Sequence, residues 1–132
     1  MMAKPSDIRI VDVHAGAEYI KFRTPMKFGG RVMTDVALLN VTLTAETRDG
    51  RRGQGFGSMP MGNVWGWPSP RLPTEQTLNA MVEAGRRIAR DAGEYRGIGH
   101  PLDITHDLTA HHAALAEEVV RAAGLAEPMP RL

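Results

Sequence analysis

Residues 50–67 read Gly-Arg-Arg-Gly-Gln-Gly-Phe-Gly-Ser-Met-Pro-Met-Gly-Asn-Val-Trp-Gly-Trp, and they separate strand-like sequence from helix-like sequence. Gly53, Gly55 and Gly57 recur with the period of a β-strand, so one face of that strand carries no side chains. We expect another surface to approach this bare face closely. Residues 59–69 show neither helical nor strand period, which predicts an ordered loop with a contact role.

Composition limits the classes of protein that this chain fits. Its 132 residues suit one domain, and 42% hydrophobic with 23% charged residues argue against disorder. A net charge of +1, with basic residues scattered among acids, argues against a nucleic-acid partner. The chain has no cysteine, which excludes disulfides, thiolate metal sites and a cysteine nucleophile and agrees with a reducing compartment. Without a long apolar run or a signal-peptide pattern, we expect a cytoplasmic protein with no membrane contact.

Strand patterns fill the first half of the chain. Ile8–Ala17 is rich in β-branched residues, and Asp35–Thr47 alternates so that its odd-numbered residues are apolar and should face the core. Asp49-Gly50 predicts a hairpin turn into a returning strand, Arg51–Ser58. Together these patterns predict an antiparallel β-meander of three strands.

The intervening residues Tyr19–Thr34 lose this alternation and contain the Gly29-Gly30 pair. They predict a long loop, and two interpretations are open: a solvated connection or a functional loop.

The second half of the chain predicts helices. Thr74 is a candidate N-cap, apolar residues then recur at helical spacing until Gly93, Pro101 starts a short helical turn, and another amphipathic helix runs from Thr109 to Gly124. The predicted fold class is therefore α+β, a three-stranded antiparallel β-meander followed by a small helical bundle. Residues 128–132 are expected to begin a continuation of the chain.

Three chemical motifs are incomplete. His106, Asp107, His111 and His112 invite a metal interpretation, but the His-Glu-x-x-His pattern is missing, so surface histidines are the better interpretation. The glycines before Ser58 match neither a dinucleotide fingerprint nor a nucleophile elbow. Trp65 and the following tryptophan, Trp67, fit either internal packing or contact with a ligand or partner.

A resemblance rests on the order of these motifs. The chain resembles the N-terminal capping domain of the enolase superfamily in the order of its motifs. That order is a strand, the stretch Thr24-Pro25-Met26-Lys27-Phe28-Gly29, a long strand, the turn Asp49-Gly50, and the glycines at 53, 55 and 57 leading to helices. The mandelate racemase and muconate lactonizing branch of this superfamily is the nearest in pattern. The resemblance spans about residues 8–108, and only the order and spacing of its short motifs make it specific.

Much about chemistry follows from this resemblance. Members abstract the proton α to a carboxylate and use Mg²⁺ on a separate (β/α)₇β-barrel, as dehydratases of acid sugars, racemases or cycloisomerases. It implies that this chain holds no catalytic or metal-binding residue, that residues 1–127 form the capping domain, and that residues 128–132 lead to the barrel. Expected partners are that C-terminal barrel and a small carboxylate or acid-sugar substrate, and a homo-oligomer is compatible.

The resemblance also assigns substrate-contacting residues. Capping domains place two loops over the barrel mouth, and these correspond to residues 19–34 and 58–70. The implied contacts are Met26, Lys27, Phe28 and Arg31 in the first, and Ser58, Met59, Asn63 and Trp65 in the second. One departure is Ser58, which stands where many relatives have an acid.

A different class of function is also open. A stand-alone α+β interaction module would use the glycine face and the tryptophans to dock a partner protein.

Overall fold

The computed structural model describes residues 2–131, which form a three-stranded sheet followed by helices. In chain order the elements are β1 (Ile8–Phe28), β2 (Arg31–Thr47), β3 (Arg52–Pro60), α1 (Asn63–Gly66), α2 (Thr74–Glu94), α3 (Pro101–Thr109) and α4 (His112–Ala123). The strands are antiparallel in the order β1-β2-β3, so the predicted α+β class and meander are confirmed. Met1 and Leu132, at the ends of the two predicted domain ranges, lie outside the described residues.

The odd-numbered residues in the middle of β2 lie on the side of the sheet that α2 packs against, as their apolar character predicts. Leu39 packs so closely on Gly85 of α2 that a Cβ there would collide with it, and Ala37 is almost fully buried. Across the sheet Val13 pairs with Leu43, and Leu43 pairs with Gly55, so this face continues over all three strands. The helix packs mainly against β1.

The predicted loop at Tyr19–Thr34 is wrong, because β1 and β2 continue as a long hairpin. Gly29 and Gly30 have φ of 56° and 77°, the positive values that a two-residue type I′ turn requires. Most side chains here are exposed on both faces of the hairpin, so burial imposes no alternation on the sequence. A register shift between Lys21 and Met26 breaks the pattern further.

The helix limits differ slightly from those predicted. Pro73, not Thr74, occupies the N-cap position of α2, and no side chain caps that end. The helix passes the predicted stop at Gly93 and ends at Glu94. α4 begins at His112 rather than at the predicted Thr109, and it ends as predicted at Gly124, whose φ of 64° is left-handed.

A cluster of buried apolar residues lies between α2, α4 and the segment that follows α1. Its buried members are Trp67, Ala80, Ala84 and Val119, and Leu72, Met81, Val120, Leu125 and Met129 pack around them. Trp67 therefore follows the packing interpretation, and Met129 shows that residues beyond 127 contact the same domain.

The glycine face of β3 is open. A Cβ placed at Gly53, Gly55 or Gly57 would meet no atom of residues 2–131 within 4 Å. The expected close approach to this face is therefore not made by the described part of the chain.

Within residues 2–131, every helix is too short or too polar to cross a bilayer.

Candidate functional site

The structure brings the two segments assigned by the resemblance into direct contact. We name residues 26–33 the hairpin tip and residues 58–70 the connecting segment. The rings of Phe28 and Trp65 lie 4.3 Å apart between centroids at an interplanar angle of 44°. Arg31 Nη2 donates a hydrogen bond of 2.7 Å to the carbonyl oxygen of Ser69, which is buried. Segments distant in sequence therefore form one surface.

The turn at Gly29-Gly30 determines which side chains of the hairpin tip reach the connecting segment. Its register pairs Phe28 with Arg31 and Met26 with Met33. These four residues share one face of the hairpin because paired residues of antiparallel strands point to the same side. Lys27, which pairs with Val32, points to the opposite side.

Asn63 anchors the start of the connecting segment. Its side chain is buried, and Nδ2 donates hydrogen bonds of 2.9 Å to the Thr74 carbonyl oxygen and to Thr77 Oγ1 at the start of α2. The backbone N–H of Met61 also donates to the Ala37 carbonyl oxygen of β2, at 2.8 Å. These bonds fix the segment to both the sheet and the helix, and they give Asn63 a structural task.

Glu127 anchors the other end of the connecting segment. Its carboxylate accepts hydrogen bonds from Trp67 Nε1 at 2.8 Å and from Arg71 Nη2 at 3.1 Å. The Ser69 hydroxyl, the Trp67 indole and the Arg71 guanidinium together hold the pKa of Glu127 below its ordinary value. The carboxylate is thus charged at neutral pH and ties residues near the C-terminus to the segment that carries Trp65.

Ser58 and Met59 lie on opposite faces of the sheet, as neighbours in a strand do. Ser58 Oγ donates to Asn40 Oδ1 at 2.6 Å, and Asn40 Nδ2 donates to Glu18 at 3.1 Å. Met59 pairs with Leu39 on the glycine face. Of the predicted contacts, Ser58 and Lys27 therefore lie away from the surface that Phe28 and Trp65 form.

The exposed part of the site is apolar and open. Phe28 is 39% and Trp65 54% exposed in spite of their mutual contact, and Met26 and Met59 are exposed as well. A groove of about 910 Å³ lies elsewhere, between α2, α4 and residues 128–131, and no predicted site residue lines it. A ligand beside Phe28 and Trp65 would therefore need a further surface to enclose it. Contact of these residues with a ligand stays a prediction.

The histidine-rich region has its own hydrogen bonds. His111 Nδ1 lies 2.7 Å from Asp91 Oδ2, and the Tyr95 hydroxyl donates to Asp107 at 2.7 Å. In the described range 2–131, no three His, Asp or Glu side chains are grouped to hold a metal ion. The surface formed by the hairpin tip and the connecting segment can supply apolar contacts and hydrogen-bond donors, which serve to bind a ligand.

Sequence reasoning missed the bonds that join the two segments. The resemblance predicts Arg31 as a ligand contact, but nothing in the sequence predicts its bond to Ser69 or the bonds of Glu127. No periodic pattern links such distant residues. The one signal in the sequence is the presence of tryptophan, because a buried tryptophan usually donates its indole N–H to an acceptor elsewhere in the chain.

Comparison with known proteins gives a distant structural likeness. No protein-family model matches the sequence, and no curated protein matches it. The chain is similar to an enolase from an alpha-proteobacterium, BAL199, whose crystal structure contains bound Mg, with 16% sequence identity and a TM-score of 0.41. A likeness at this level carries no argument about function. The match covers 88% of this chain and 32% of that enolase, so the chain spans about a third of its length.

Proposed function

We propose that this chain is the capping domain of a Mg²⁺-dependent enzyme of the enolase superfamily. The enzyme abstracts a proton α to a carboxylate, as an acid-sugar dehydratase, racemase or cycloisomerase, and is cytoplasmic. Its bases and metal ligands belong to a C-terminal barrel, so residues 1–127 alone are inactive and residues 128–132 lead to that barrel. The observation that carries the proposal is the joining of the hairpin tip to the connecting segment by Phe28–Trp65 and Arg31–Ser69.

This joining matters because two separate loops would each have to be ordered when substrate binds. Ordering flexible side chains costs about 0.5–1.5 kcal/mol for each one immobilised on binding. Asn63 and Glu127 hold the connecting segment before any ligand arrives, and Arg31 holds the hairpin tip against it. The two segments thus supply one preorganised wall of a substrate pocket.

The chemistry of this wall suits the part of a substrate remote from its carboxylate. Met26, Phe28 and Trp65 offer exposed apolar surface, on which the carbon face of a sugar acid can lie. Arg31 uses one of its five N–H donors on Ser69, so other donors remain for a hydroxyl or carboxylate group. Asn63 positions the connecting segment that carries Trp65. Lys27, Ser58 and Met59 contact substrate only if the barrel extends around them.

The barrel would provide the enclosing surface that this domain lacks. Closing the wall over the barrel mouth would exclude water from the pocket and so strengthen the electrostatic interactions inside it. Mg²⁺ held by carboxylates of the barrel would supply the positive charge that makes the α-proton of the substrate easier to remove.

Exchange of the α-proton tests this function. The longer protein, incubated in D₂O with Mg²⁺ and a panel of acid sugars, should incorporate deuterium at the carbon next to the carboxylate of its substrate. Removal of Mg²⁺ with a chelator should stop the exchange, and the 132-residue chain alone should show none. Exchange by the isolated chain would contradict the proposal, as would a longer protein that exchanges no substrate of the panel.

The second candidate, a stand-alone interaction module, is favoured by the exposure of Trp65 and by the open glycine face. It predicts that Trp65→Ala abolishes capture of a partner protein and has no effect on any turnover. The capping function predicts instead that Trp65→Ala changes the KM of the longer enzyme.

A further inference from the structure

The outer edge of β3 carries unpaired backbone groups. β3 lies at one side of the sheet and pairs only with β2 in the described chain, and all of its residues are exposed. A charged residue and a proline, the usual protections of an edge, stand only at its two ends, Arg52 and Pro60, and residues 53–59 contain neither. Natural edge strands usually carry charges, bulges or a covering element, because an uncovered edge invites a further strand.

The other edge of the sheet, β1, has these protections. Its outer side carries an isolated bridge from Ile8 to Gly99, and its register with β2 shifts twice. Its exposed half includes Glu18, Lys21 and Arg23. The contrast between the two edges makes β3 the place where another strand can add.

Two hydrogen bonds determine which groups of β3 point outward. At one end of the β2–β3 ladder the Thr47 N–H donates to the Arg51 carbonyl, next to the pair Glu46–Arg52. At the other end the Met61 N–H donates to the Ala37 carbonyl, next to the pair Leu38–Pro60. Such pairs are non-hydrogen-bonded pairs, and the two kinds alternate along an antiparallel ladder. The glycines therefore bond to β2, whereas the N–H and C=O groups of Gln54, Phe56 and Ser58 point away from the sheet.

We propose that β3 pairs edge to edge with β3 of a second copy of this chain, antiparallel and with its two-fold axis at Phe56. Phe56 of one copy then exchanges two backbone hydrogen bonds with Phe56 of the other. Gln54 of each copy exchanges two backbone hydrogen bonds with Ser58 of the other. A continuous sheet of six strands results. This inference goes beyond the proposed function and does not depend on it.

The side chains of β3 are complementary in this register. Phe56, 71% exposed in the single chain, gains a cross-strand aromatic partner. Arg52, already bonded to Glu46 at 2.6 Å, lies opposite Pro60 of the other copy rather than opposite a second arginine. On the other face Gly55 of each copy lies opposite Gly57 of the other, so no side chains can clash across the seam at these positions.

Sedimentation velocity over a concentration series tests the proposal on the 132-residue chain. The wild type should pass from monomer to dimer as its concentration rises. Gln54→Pro should raise the dimer Kd by about tenfold or more, because it removes an outward N–H from each copy and leaves the bonds to β2 intact. The matched control Gln54→Ala keeps that N–H and should dimerise like the wild type, and circular dichroism checks that each variant folds.

A charge swap at Phe56 locates the axis. Phe56→Lys and Phe56→Asp should each be monomeric, because like charges meet directly, and an equimolar mixture should form the heterodimer. Amide exchange should slow at Gln54, Phe56 and Ser58 as dimer forms. A wild type that stays monomeric at every concentration overturns the proposal, and so does a dimer that Gln54→Pro and Phe56→Lys leave unchanged.

Discussion

Asn63 shows how one buried amide can determine the position of a surface segment. Its Nδ2 group bonds to Thr74 and Thr77 at the start of α2, and Trp65 follows it by two residues within the single turn of α1. The exposed ring of Trp65 is thus positioned by a side chain that is itself hidden from solvent.

Removing this amide should destabilise the domain. We expect Asn63→Ala to lower the free energy of unfolding by about 1–2 kcal/mol, because it leaves buried acceptors at the start of α2 with fewer donors. Urea unfolding followed by circular dichroism measures the change. Ser58→Ala is the matched control, since it removes an exposed hydrogen bond and should change stability by less than about 0.5 kcal/mol. Equal losses in the two variants would contradict the anchoring role.

Glu127 should make the stability of the domain depend on pH. Contacts with Ser69, Trp67 and Arg71 lower its pKa in the folded state, so its contribution is fully present above the ordinary glutamate pKa. That contribution is lost as pH falls through the lower folded pKa. The difference in unfolding free energy between wild type and Glu127→Gln should therefore shrink as the pH falls. Both proteins share the other carboxylates, so the pH-dependent contributions of those groups cancel in this difference. A difference that is constant from neutral to strongly acidic pH would refute the interpretation.

The resemblance assigns both Phe28 and Trp65 to substrate contact, and the structure places their rings against each other. It assigns Asn63 to substrate contact as well, and the structure shows the amide of Asn63 bonded to α2. Contact of any of these residues with substrate stays a prediction. Whether a polar side chain points inward depends on distant partners, which no local spacing encodes.

The hairpin formed by β1 and β2 is the element on which the candidate site depends. Its turn at Gly29-Gly30 brings Phe28 opposite Arg31, and both then reach the connecting segment. A pair of glycines between two strands is a recognised hairpin signal. The sequence predicts a long loop here instead, because the flanking strands, exposed on both faces, have no apolar alternation.

Substitutions in this turn should separate backbone conformation from side-chain contact. We expect Gly30→Val to disrupt the turn, because a β-branched residue at a φ of 77° is strained by about 1–2 kcal/mol. Gly29→Asn should be tolerated, since Asn-Gly is a favoured type I′ pair. Nuclear Overhauser contacts between Phe28 and Trp65 should be lost in the first variant and kept in the second. Their survival in Gly30→Val would show that the turn does not position Phe28.

At the scale of the whole molecule, the α+β class was predictable because the strand and helix patterns are segregated along the chain. Alternation in β2 predicts the face that α2 covers, and apolar spacing predicts α2 and α4. The single turn of α1 lies instead in a stretch predicted to be a loop. The sequence did not indicate that α2 leaves the glycines of β3 uncovered, because the lateral position of a helix on a sheet depends on packing.

The steady-state kinetics of Trp65→Ala in the proposed full-length enzyme test the central claim most directly. If the proposed function holds, KM for the substrate should rise by about tenfold, because the variant loses the aromatic surface that Trp65 offers to the ligand, and Mg²⁺ affinity should be unchanged. Leu102→Ala, which removes an even more exposed apolar side chain from α3, should leave KM unchanged. A Trp65→Ala enzyme with wild-type KM and kcat would contradict the claim that the joined segments form a wall of the substrate pocket.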